Sequence, residues 1–85
     1  MRNIVFVTKA FKEYQDWIVN DRKILIRIGD LIRDILRDTF AGIGKPEPLK
    51  YTYKGYWSRR IDNEHGLIYN IDNDNILIFS CYSHY

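Results

Sequence analysis

The stretch Lys45-Pro46-Glu47-Pro48-Leu49-Lys50-Tyr51-Thr52-Tyr53-Lys54-Gly55-Tyr56-Trp57-Ser58-Arg59-Arg60-Ile61 decides the reading of this chain. It carries one carboxylate, three lysines, two arginines and four aromatics in seventeen residues. Pro46 and Pro48 fix their own φ angles and bias Lys45 and Glu47 towards extended backbone. Glu47 is therefore expected on a stiff loop, which suits a group that must be aimed. From Lys45 to Arg60 there are five basic residues and one acidic, a local excess of four positive charges, although the whole chain is only +2. The segment from Asp62 onward is acidic. A local basic patch interleaved with aromatics fits a phosphate-rich partner.

The rest of the chain reads as the frame around that stretch. With 85 residues there is room for one domain, 1–85, with a small core. Asn3 to Val7 reads as a short strand rich in β-branched residues. Thr8 is the expected N-cap of a first helix, whose apolar face Ala10, Phe11, Tyr14, Trp17 and Ile18 ends near Val19. Asn20-Asp21 breaks it, and Asp21 is expected to cap a second helix. There Ile24, Leu25, Ile28, Leu31, Ile32, Ile35 and Leu36 follow helical spacing, and Arg22, Lys23, Arg27, Asp30, Arg33, Asp34 and Arg37 fill the solvated side in i, i+3 and i, i+4 pairs. Thr39 to Lys45, with Gly42 and Gly44, is a loop. Leu49 to Tyr53 reads as a short strand candidate, followed by a Lys54-Gly55 turn and strands at Tyr56 to Ile61, Leu67 to Ile71 and Ile76 to Tyr82. The expected class is α+β: two N-terminal helices on a curved, mainly antiparallel sheet (β-α-α-β-β-β), with the second sheet face left for a ligand.

Several chemistries are disfavoured. Cys81 stands alone, so no internal disulfide and no zinc cluster is expected. There are two histidines, not in metal-ligand spacing. The apolar run Ile4 to Val7 is too short for a signal peptide or a membrane span, which points to the cytoplasm and to no membrane partner. No metal and no cofactor is expected. What the residue types do suit is RNA cleavage through the neighbouring 2′-hydroxyl. Glu47 would serve as base, Lys50 and Arg60 as cations at the phosphate and His84 as acid, its ordinary pKa lying near neutrality. Each also has a plain reading. Glu47, Lys50, Lys54 and Arg59 are ordinary solvated groups on most surfaces, Arg60 could simply pair with a carboxylate, and His65 beside a turn is expected to face solvent. Trp57 is expected in the core rather than as a base-stacking platform. A free single-strand RNA binder built on Trp57 and the tyrosines is a further reading.

The run Gly42-x-Gly44-Lys45-Pro46-Glu47-Pro48-Leu49-Lys50, then Gly55-Tyr56-Trp57-Ser58-Arg59-Arg60-Ile61, Glu64-His65 and the final His84-Tyr85, resembles the YoeB/Txe family of bacterial toxin–antitoxin toxins, within the RelE-like group. The resemblance covers nearly the whole chain. It implies a RelE-like, microbial-ribonuclease-like fold and an endoribonuclease that cuts messenger RNA in the ribosomal A site. The products would be a 2′,3′-cyclic or 3′-phosphate and a 5′-hydroxyl. It also implies a YefM-like antitoxin whose disordered C-terminal segment folds over the toxin, operator DNA contacted only through that antitoxin, and a possible homodimer. By the same resemblance Glu47 matches the general base, His84 the general acid, Lys50 and Arg60 the cations at the scissile phosphate, and Tyr85 a terminal aromatic shaping the site. Lys45, Lys54 and Arg59 are the further RNA-contacting candidates.

One position departs from the pattern. The family follows Glu-His with Arg-Leu-(Val/Ile)-Tyr, whereas this chain has Glu64-His65-Gly66-Leu67-Ile68-Tyr69. Gly66 stands where a catalytic arginine stabilises phosphoryl charge. Losing such a contact costs about 3–4 kcal/mol, roughly 100- to 1000-fold in rate. Glycine is also a poor strand residue, so folding does not recommend it there. Either the chain is inactivated by selection or design, or Arg59 or Arg60 covers the missing charge. A non-catalytic, antitoxin-binding co-repressor is the alternative to an enzyme.

Overall fold

The computed structural model describes residues 1–84, with Ser83 and His84 described by backbone only; Tyr85 lies outside the described residues. Strand β1 spans Asn3–Phe6, helix α1 Thr8–Asn20 and helix α2 Arg22–Arg37. Strands β2 (Glu47–Pro48), β3 (Trp57–Arg60), β4 (His65–Ile71) and β5 (Asn75–His84) follow, with a 3₁₀ turn at Tyr51–Tyr53. They form one five-stranded sheet in the order β1-β5-β4-β3-β2, in which β1 runs parallel to β5 and every other pair is antiparallel. The parallel pair follows from the connection: two helices separate β1 from the meander, long enough to return the chain to the same end of the sheet.

Both helices cover one sheet face. Ala10, Trp17, Ile28, Leu31 and Ile35 from the helices meet Leu67, Tyr69, Ile76, Ile78 and Cys81 from β4 and β5 in the buried core. Fully burying one such aliphatic side chain contributes about 1.5–3 kcal/mol. Asp21 caps α2 as expected: its Oδ1 accepts from the Lys23 and Ile24 amides at 3.0 and 3.4 Å. The expected pairs on the outer face of α2 are present in Arg33–Asp30 and Arg37–Asp34.

Four local expectations are corrected. Val7, not Thr8, is the N-cap of α1, and no side chain caps it; Thr8 is already helical. The strand placed at Leu49 to Tyr53 is instead β2 at Glu47–Pro48 followed by the 3₁₀ turn, because Tyr51 takes a positive φ of 56° that a strand does not permit. Lys45 is not extended but has φ 49°. The preference imposed by Pro46 is overridden as the loop passes under β3, where the Arg60 amide donates to the Gly44 carbonyl at 2.6 Å. Gly44 is required there: at φ +80°, a Cβ would lie 2.7 Å from Leu31 Cδ2 and 3.1 Å from the Arg60 carbonyl. Lastly, His65 does not face solvent. It is buried, its ring edge-on to Trp17 at 5.0 Å and to Tyr82 at 5.1 Å.

Candidate active site

Strand register decides which candidates share a surface. Successive side chains on a strand point to opposite faces, and directly paired residues point to the same one. Arg59 faces the helices, so Ser58 and Arg60 face the open side. Glu47 pairs with Ser58, and Arg60 pairs with Gly66, which in turn pairs with Ser83. Glu47, Ser58, Arg60 and Gly66 thus share the sheet face opposite the helices in two adjacent cross-strand rows, with Glu47 and Arg60 exposed and Ser58 and Gly66 buried. Glu47 is exposed, and its backbone is fixed by β2–β3 pairing and by the Leu49 amide donating to the Tyr56 carbonyl at 2.8 Å. Lys45, Lys50 and Lys54 are exposed on the segments flanking β2. Tyr56, Tyr53 and Phe79 form an edge-to-face group beside this face, with Tyr56 and Phe79 centroids 5.4 Å apart.

Backbone pairing brings the end of β5 beside these rows. Ser83 is the residue opposite Gly66, and the His84 backbone pairs with His65, one register position on, in the row that faces the helices. Two register irregularities, between Gly66 and Ile68 and between Ile68 and Tyr69, bend the β4–β5 ladder just before this point. The roles expected of the His84 side chain and of Tyr85 lie outside the described residues.

Arg59 does not belong to this surface, which corrects its placement among the RNA-contacting cations. It is fully buried. Its Nη1 donates to Asp34 Oδ2 at 2.5 Å and to the Ile43 carbonyl at 3.2 Å. Its Nη2 donates to the carbonyls of Asp38 at 2.6 Å and Ala41 at 3.2 Å, and its Nε to the Tyr69 hydroxyl at 3.2 Å. The Tyr69 hydroxyl in turn donates to the Thr39 carbonyl at 2.9 Å. One guanidinium thus gathers the carbonyls of Asp38, Ala41 and Ile43 in the segment that leads into Lys45 and Glu47. Arg59 therefore cannot cover the charge absent at Gly66. Hydrogen bonds from Arg37, then from the Ile43 amide, outweigh partial burial at Asp34 and bring its pKa down to about 2. Burial pushes the Tyr69 phenol up, against the pull of Arg59. The sequence did hold a signal for this hub: two adjacent arginines on one strand must face opposite ways, so one of the pair had to meet the helices.

The Asp62 to Glu64 turn is built by one carboxylate. Asp62 Oδ1 accepts from the Glu64 and His65 amides at 2.8 and 2.6 Å, and His65 Nδ1 lies 3.2 Å from both Asp62 oxygens. Burial raises the Asp62 pKa, but these amide bonds outweigh it and leave the group below its usual value. His65 is thereby a structural group on the helix side of the sheet. Trp57, as expected, packs against the core, its ring 4.8 Å from Phe40. A cleft lined by Val5, Asn70, Asp72, Asn75 and Leu77 lies at the other end of β4 and holds none of the candidates. Among the described residues no group of three or more His, Cys, Asp or Glu side chains is arranged to hold a metal ion. Nor is any helix among them long and apolar enough to cross a membrane.

Residues 6–85 match the family model described as the YoeB-like toxin of bacterial type II toxin–antitoxin systems. The chain belongs to the YoeB-like toxin family. It is 51% identical over 82 residues to Toxin YoeB of Synechocystis sp., covering 96% of this chain and 95% of that protein. It is also similar to the YoeB dimer from Staphylococcus aureus, at 45% identity and a TM-score of 0.94 over 99% and 98% of the two chains. Toxin in a heterotetrameric YoeB–YefM complex from the same organism matches at 44% identity and a TM-score of 0.91 over 100% and 99%. The expected RelE-like architecture of the YoeB toxins is therefore the one this chain adopts.

Proposed function

We propose that this toxin is an endoribonuclease built to cut messenger RNA in the ribosomal A site and so to inhibit translation, and that Gly66 disables it. The single observation carrying this reading is the sheet face shared by exposed Glu47 and Arg60 with Ser58 and Gly66, and the backbone of His84 next to it. Glu47 takes the proton from the ribose 2′-hydroxyl. The 2′-oxygen attacks the adjacent phosphorus, forming a 2′,3′-cyclic phosphate. The 5′-oxygen departs with a proton from His84, leaving a 5′-hydroxyl. Lys50 and Arg60 balance the charge growing on the phosphoryl oxygens, Tyr85 shapes the site, and Lys45 and Lys54 hold flanking phosphates. The chemistry runs on these side chains without a metal or cofactor. The ribosome supplies the positioning of the message, so cleavage of free RNA is slow.

The partners follow from the family. The Staphylococcus aureus relative forms a YoeB–YefM complex, and by likeness this chain takes a YefM-like antitoxin in the cytoplasm and reaches operator DNA only through it. The dimeric relative supports a homodimer. Gly66 favours a second reading. With no cation at that position and Arg59 committed to the core, the domain could serve chiefly as an antitoxin-bound co-repressor. The test is mapped cleavage on programmed ribosomes with Gly66→Arg as parent and Glu47→Gln and His84→Gln built upon it. Loss of at least about 100-fold in each double variant supports acid–base catalysis. Cleavage unchanged by both removes it.

A further inference from the structure

Strand β1 covers only the first half of β5. Its register ends at Phe6 opposite Ile78, with a last bond from the Val7 amide to the Ile78 carbonyl at 3.1 Å. Beyond that point β5 runs on to His84 with no strand on that side among the described residues. An uncovered strand end of this kind frays or recruits a foreign strand. Here side chains of α1 replace the missing strand. Glu13 Oε1 accepts from the Cys81 amide at 3.0 Å and from Ser80 Oγ at 3.0 Å. Trp17 Nε1 donates to the Cys81 carbonyl at 2.8 Å. Both backbone groups of Cys81 are thus held by two residues four apart, the spacing that places them on one helix face. Lys9, 2.9 Å from Glu13 Oε2, keeps that carboxylate oriented.

Trp17 reaches further along the same strand. Its ring stacks on Tyr82 at 4.6 Å and 24°, and meets His65 edge-on at 5.0 Å. His65 is the cross-strand partner of His84. One indole therefore bonds the backbone three residues before His84, packs on the ring two residues before it, and backs the residue opposite it.

We infer that Glu13 and Trp17 are positioning residues: a side-chain clamp from α1 that sets the register of the terminal segment of β5 and so the placement of His84. The inference rests on the reading of His84 as general acid. Trp17→Phe keeps a ring and removes the N–H, and Glu13→Gln keeps shape and removes the charge; the second variant serves should the first not fold. Amide exchange at Tyr82, Ser83 and His84 is expected to rise roughly tenfold in either variant, the size of one lost hydrogen bond, while Leu67 and Ile78 are unchanged. Single-turnover cleavage at saturating ribosomes, in the Gly66→Arg parent, is expected to fall roughly tenfold with the half-saturating ribosome concentration unchanged. Exchange unchanged at Tyr82 to His84 overturns the clamp. Faster exchange with undiminished cleavage, in a parent that His84→Gln does disable, overturns its catalytic use. If His84→Gln cleaves like its parent, the acid reading fails and takes the positioning role with it, while the exchange data still report the clamp.

Discussion

Asp34→Asn is expected to threaten the whole fold, because Asp34 is the only carboxylate shown bonded to the buried guanidinium of Arg59 among the described residues. The substitution keeps the shape and removes the charge. Arg59 remains fully buried and cationic, with three carbonyls and a phenol about it. Removing one partner of a buried ion pair costs about 3–5 kcal/mol. Asp34 also accepts from the Ile43 amide at 2.9 Å and from Arg37 Nε at 3.0 Å, so the loop loses a second anchor. A domain of 85 residues has about 4–13 kcal/mol in total at typical values per residue. The loss is therefore a large fraction of the stability. At about 4–8 °C per kcal/mol for a domain of this size, the midpoint falls by at least about 12 °C. Thermal unfolding followed by far-ultraviolet circular dichroism measures this directly. A fall of under about 4 °C, or less than 1 kcal/mol, would refute the reasoning that Arg59 depends on Asp34.

Three further outcomes follow from the same geometry. Acid should unfold the chain in a defined window: Asp34, held at about 2, stabilises the fold above its unfolded value near 4 and loses that contribution as pH falls from about 4 to 2. Asp62 and Asp72, both lowered, act in the same direction, and a flat urea midpoint between pH 5 and 2 would contradict this. Gly44→Ala forces a Cβ against Leu31 and the Arg60 carbonyl at positive φ, so it should cost about 1–3 kcal/mol in urea unfolding; an unchanged midpoint would show that the loop gives way freely. Burial, with Glu13 nearby, pushes the Cys81 thiol up to about 12, so a disulfide reagent at pH 8 should modify it only after unfolding. Rapid labelling of the folded chain would place Cys81 at the surface.

The helices and the meander were legible because their periodicities are strong: the apolar stripe of α2 and the cap at Asp21 emerge where spacing predicts. What failed were positions decided by distant neighbours. Lys45 and Tyr51 take positive φ because the 39–53 segment must fit beneath and beside β3, and no local preference signals that. His65 reads as a turn residue, yet it faces the core side because Asp62 folds the turn back and Trp17 supplies the packing. Arg59 and Arg60 are identical in sequence terms and opposite in placement, one buried by alternation and one exposed. The candidate site was legible as a motif. The common face of Glu47, Arg60 and Gly66 needed the register of three strands. The clamp of Glu13 and Trp17 had no sequence signal, since it depends on where β1 stops.

The proposed ribosome-dependent ribonuclease activity stands or falls with the arginine absent at position 66. The most direct test is cleavage of the message on programmed 70S ribosomes, mapped by primer extension, for this chain and for Gly66→Arg. The expected result is an A-site cut with arginine and a rate roughly 100- to 1000-fold lower, or no cut, with glycine. Equal cutting by both would contradict the inactivation, and no cutting by either would leave the antitoxin-bound role in its place.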